Sequence, residues 1–92
     1  MSVLNRIVLD ILKPRVPNAL EFANAIADNN PQCAVTVTVT EMDEKTETTL
    51  VTIEGKDIAY EKIVDTVTTL GGSIHSIDEV TVSNITIKKE EQ

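Results

Sequence analysis

The stretch CAVTVTVTEM, residues 33–42, constrains the fold of this chain more than any other. Val35, Val37 and Val39 alternate with Thr36, Thr38 and Thr40. A period of two puts the valines on one face of a strand and the threonines on the other, whereas a helix would scatter both sets around its axis. β-branched residues also suit a pleated, half-buried surface. The chain therefore builds a sheet with at least one apolar face, and other elements have to cover it.

The remaining elements follow from similar patterns. RIVLDIL (6–12) alternates Ile7, Leu9 and Ile11 against Val8, Asp10 and Leu12, and so reads as a strand that the prolines of KPRVP break. In NALEFANAIADNN, Ala19, Leu20, Phe22, Ala23, Ile26 and Ala27 form an apolar stripe at helical spacing, with Pro17 expected in the first turn and Asn29, Asn30 and Pro31 ending the helix. DEKTE is a polar turn, and TTLVTIEG (48–55) is a strand that makes a hairpin with 33–42. Asp57 is the expected N-cap of a second helix whose stripe is Ala59, Tyr60, Ile63, Val64, Val67 and Leu70. Gly71 or Gly72 supplies the left-handed residue after it. SIHSIDEVTVSNITIKK is a β-prone tail, with residues 88–92 expected to fray.

This β-α-β-β-α-β order predicts an α+β, ferredoxin-like sandwich: a four-stranded antiparallel sheet with two helices on one face, residues 1–92 forming a single domain. Right-handed crossovers place the first and third strands in the centre. The final strand then lies beside the first, so that Asp10 comes close to Ile77 and its neighbours.

Composition narrows the function. The chain has 92 residues and a formal net charge of −7. A domain this small buries only about two-thirds of its unfolded surface, and oligomerisation is one remedy. The acidic balance offers no cationic footprint for nucleic acid and disfavours anionic membranes. Phe22 and Tyr60 are the only aromatics, so stacking platforms for bases are nearly absent. No apolar run approaches the length of a membrane span. The N-terminus is interrupted by Asn5, Arg6 and Asp10, unlike a signal peptide. A lone cysteine, Cys33, makes no internal disulfide, which points to a reducing cytoplasm.

The topology gathers KPRVP, DEKTE and GGSIH at one end of the sheet. Asp10, His75, Asp78 and Glu79 are candidate ligands there for a divalent cation such as calcium, with Glu41 and Asp43 on the hairpin behind them. Lys13 and Arg15, flanking Pro14 ahead of a helix N-terminus, are candidates for a small anionic ligand. His75, Ser76 and Asp78 are the residue types of a nucleophilic triad, but neighbours on an extended strand point apart, and a triad is defined by geometry. No catalytic motif is present, and the chain is read as non-enzymatic. The sheet face away from the helices carries Val8, Leu12 and Leu50 with few charges, and the tail adds Val82, Ile85 and Ile87. Such surfaces suit association, and these six residues are the expected interface of a homo-oligomer. A small regulatory module binding an anion or a divalent cation is the alternative.

Three motifs, IVLDILKP, TIEGKDIAYEKI and LGGSIHSIDEV, occur in order and together resemble a small archaeal family, the domain of unknown function 211. The resemblance covers nearly the whole chain. It implies a ferredoxin-like fold, assembly into ring-like oligomers and bound calcium, and it implies no established activity.

Overall fold

Alternation and helical periodicity place each element, and tertiary pairing extends the strands beyond their sequence signals. The structure, a computed structural model, describes residues 1–84. It contains β1 (Ser2–Pro14), α1 (Ala19–Asp28), β2 (Cys33–Met42), β3 (Thr46–Gly55), α2 (Tyr60–Thr69) and β4 (Ser73–Asn84). The four strands form one antiparallel sheet in the order β2-β3-β1-β4, with β1 and β3 central, and the two helices complete a ferredoxin-like α+β fold. Ile85, Ile87 and the expected fraying of 88–92 lie outside the described residues. β1 begins four residues before the alternating segment because β4 pairs with it as far as Ser2, opposite Asn84.

The core lies between the sheet and the helices. Ile7, Leu9 and Ile11 from β1 meet Val51 and Ile53 from β3, Phe22 and Ile26 from α1, and Ile63 and Val67 from α2. Val35 and Val37 of β2 pack against this cluster while Thr36, Thr38 and Thr40 are exposed. Gly71 adopts φ +85°, the left-handed conformation that ends α2. Gly55 is required for close approach: a Cβ there would lie 2.5 Å from the Gln32 carbonyl oxygen and 2.7 Å from Cys33 Sγ.

Several local expectations are corrected. Pro17 precedes α1 instead of entering its first turn. The N-cap is Asn18, whose Oδ1 accepts from Glu21 N–H at 2.8 Å while the Glu21 carboxylate accepts from Asn18 N–H at 3.0 Å, a complete capping box. Leu20 is not in the buried stripe; it is 69% exposed. Asp57 does not cap α2. It sits in a turn at φ +54°, and the N-cap is Ala59, which has no side chain to offer. The buried Asn30 compensates in part, its Oδ1 accepting from Ala59 N–H at 3.1 Å.

The β1–β4 ladder is irregular. Register shifts leave Asn5 as an extra residue on β1, and His75 and Asp78 as extra residues on β4. These bulges rephase β4, so the face-sharing expected from strict alternation fails. Ile74, Ile77 and Val80 stand opposite Ile11, Leu9 and Ile7, all on the helix face, although they are three residues apart.

Candidate functional site

At the KPRVP end, the two cations expected to share an anion are separated in environment. Lys13 lies opposite Glu47 in the β1–β3 register, on the core side of the sheet. Its side chain is completely buried; Nζ donates to Glu47 Oε1 and to the Pro14 carbonyl, both at 2.8 Å, and sits 5.6 Å from the centroid of the Phe22 ring. Lys13 is thus an internal ion-pair partner and not an open cation, because both charges would be costly to bury alone. Arg15 is exposed, and its backbone N–H donates to the Lys45 carbonyl across the hairpin loop.

The hairpin acids have separate roles. Asp43 Oδ1 accepts from Thr46 N–H and Thr46 Oγ1, both at 2.9 Å, and from Lys45 N–H at 3.1 Å. These hydrogen bonds, those from Thr46 foremost, hold its carboxyl below the ordinary aspartate range, with Arg15 contributing less. Asp43 therefore closes its own turn. Glu41 is exposed at the end of β2.

Beside β4, Asp10 stands opposite Ser76, as the topology predicted, and opposite Leu50 on the other side. Its Oδ1 is buried without a hydrogen-bond partner among the described residues. The Ser76 hydroxyl donates to Asp78 Oδ1 at 2.6 Å, so it is turned towards the carboxylate and not to His75. Glu79 is taken by Arg6: the guanidinium Nε lies 2.6 Å from Glu79 Oε2, and Nη1 pairs with Glu54. Arg6 thereby ties β1 to both neighbouring strands on the outer face, and the carboxylates of Glu79 and then Glu54 raise its pKa. Among the described residues, no three His, Cys, Asp or Glu side chains converge as ligands for a metal. The five acids and one imidazole expected to share a cation are instead dispersed among a buried position on β1, the Arg6 clamp, a serine contact, a bulge, the hairpin turn and the strand end.

The sharper features are apolar. Ile77 is 51% exposed, Val80 53% and Val82 60%, although all three line the helix face of β4. Along β4 Ile74 alone is half-buried and the rest is exposed, so no helix among the described residues covers this row. On the outer face, Val8 is buried and Leu12 half-buried; Leu50 is the exposed one. Val8, expected on an open face, is thus buried, between Thr52 of β3 and Glu79 of β4 in the register. A second exposed pair, Val16 and Leu20, sits at the start of α1, the helix that packs on β2. Sequence reading missed Arg6, Ile77, Val80 and Leu20. The three-residue spacing Ile74-Ile77-Val80 was the available signal for the β4 row.

Between α1 and α2 lies a groove of about 390 Å³ lined by Ala25, Asn29, Lys62, Asp65, Thr66, Thr69 and Leu70. Asn29 Nδ2 bridges it by donating to Thr66 Oγ1 at 3.0 Å. Cys33 is half-buried, and burial pushes its thiol pKa up, which works against nucleophilic use. No helix among the described residues is long and apolar enough to cross a membrane.

These features define a small ferredoxin-like domain with an exposed edge strand and no metal-ligating cluster among its described residues. The chain belongs to the uncharacterised ArCR family, the domain of unknown function 211, whose sequence profile matches residues 5–92. It is similar to the uncharacterised protein MJ0319 of Methanocaldococcus jannaschii, with 44% identity over 80 residues, 87% of this chain and 82% of that protein.

Proposed function

We propose that this chain is a non-enzymatic, self-associating protein whose copies meet head to tail in a ring-like assembly. The observation that carries the reading is the row Ile77, Val80 and Val82, exposed on a part of the helix face that no helix among the described residues covers. Val16 and Leu20, near the opposite edge, form a different patch. A contact between two unlike surfaces is heterologous, and it closes into a ring when its rotation allows.

Magnitudes show what the contact requires. Ile77, Val80 and Val82 are already nearly half covered, so burying the rest of them contributes roughly 2–5 kcal/mol, from about 1.5–3 kcal/mol for a whole side chain. Association costs about 4–15 kcal/mol. The β4 row alone therefore falls short, and a second set of contacts has to join it. The exposed Leu50 gives the outer face a group that an adjoining copy can engage. A cation held between copies would be an addition to this reading and not its basis.

Sedimentation tests it. Wild type is expected to be oligomeric at micromolar concentration, and Val80→Asp to lower the mass while leaving the circular dichroism of the fold intact. A wild-type protein that stays monomeric up to high micromolar concentration would falsify the reading.

A further inference from the structure

We infer that the free edge of β2 accepts residues 85–89 of a second copy as an added, parallel strand. The inference rests on the self-association reading and specifies one of its contacts.

The argument begins with the two edges of the sheet. Among the described residues, both β2 and β4 have one unpaired side, and an unpaired side is a row of backbone donors and acceptors that recruits another strand unless something blocks it. β4 is blocked. Its ladder is broken at His75 and Asp78, and His75, Asp78 and Glu79 crowd its exposed length. β2 has no such protection: from Cys33 to Val39 it holds no charge and no proline, its register with β3 is unbroken, and the one irregularity comes at Thr40. Its core-side residues Cys33, Val35, Val37 and Val39 are only half-buried. An added strand bearing alternate apolar side chains would complete their cover.

The occupant is identified by its chemistry. Residues 85–89 read Ile-Thr-Ile-Lys-Lys and follow Asn84, the last described residue of β4. Five extended residues span roughly 17 Å, about half the length of β2. Ile85 and Ile87 share the spacing of the valine row. Lys88 and Lys89 come next, and β2 ends at Glu41 with Glu44 just beyond, both exposed. Asp43 is already engaged by its own turn. Only a parallel alignment brings the lysines to these acids; an antiparallel one sends them to the Cys33 end. Backbone pairing supplies affinity in such strand additions, and the alternate side chains supply selectivity.

Hydrogen exchange and sedimentation on the full chain decide it. Ile85→Asp/Ile87→Asp should speed exchange of the Cys33–Met42 amides by about tenfold or more, equivalent to 1.4 kcal/mol, and lower the assembled mass. The protection in wild type should also grow with protein concentration. If wild type assembles but β2 exchange is the same in the variant, the strand addition is wrong and self-association survives. Protection lost in the variant yet independent of concentration would mean a strand from the same chain, and would overturn the second copy as occupant. A monomeric wild type removes both proposals. Glu41→Lys sets the alignment. A simple reduction of net negative charge would strengthen assembly, whereas loss of the lysine contact weakens it, and Glu41→Lys/Lys88→Glu should restore it. Strengthening by the single variant overturns the parallel register.

Discussion

Lys13 is the residue at which sequence and structure part most sharply. Set among prolines and Arg15, it reads as a loop cation, yet it is completely buried. Nothing local signals this, because its partner Glu47 lies 34 positions away and meets it only through the β1–β3 register. Such a pair contributes little beyond a well-packed apolar substitute, but breaking one side is severe, since a charge is then buried alone. Lys13→Met is therefore expected to lower stability by about 3–5 kcal/mol, and Lys13→Met/Glu47→Leu to recover most or all of it. Urea unfolding of both variants checks this, and equal stability of Lys13→Met and wild type would refute the burial argument. Asp10 shows the opposite case: its position beside Ser76 was readable from topology, and its missing hydrogen-bond partner was not.

Among the elements, legibility follows regularity. β2 was readable because valine and threonine alternate without interruption from Val35 to Thr40. β4 was readable as a strand but not in its facing, because His75 and Asp78 each add a residue that the period-two rule does not anticipate. The helices divide in the same way. Asn18 and Glu21 provide α1 with a reciprocal cap, whereas the acid ahead of α2, Asp57, is two residues too early and lies in a left-handed turn. Ala59 occupies the cap position with extended backbone, φ −92° and ψ 95°, and no side-chain hydrogen bond. That backbone is already suited to a capping side chain, so Ala59→Ser should stabilise the fold by about 0.5–2 kcal/mol. Thermal and urea unfolding measure it; a neutral or destabilising result would show that Asn30 and the helix packing already meet the need of this end.

For the whole molecule, charge and association oppose each other. Each copy brings a net charge of −7 to any assembly. Repulsion between copies acts over distances that salt screens, with a Debye length of about 10 Å at 0.1 M and 3 Å at 1 M, while apolar contacts are not weakened by such screening. Assembly is therefore expected to tighten as sodium chloride rises, read as a falling dissociation constant in sedimentation. Loosening with salt would mean that ion pairs, not apolar burial, hold the copies together. The two extra residues of β4 also act as phase corrections. They bring Ile74, Ile77 and Val80 onto one side of the molecule from a spacing of three. Were Asp78 paired in turn instead of bulged, every side chain downstream would change sides, Val80 and Val82 turning outward and Glu79 turning in; deleting it would leave their facing unchanged, because Glu79 would then follow Ile77 directly onto the outer face opposite Val8. The surface offered to a neighbour is thus set less by which residues β4 contains than by where the strand miscounts.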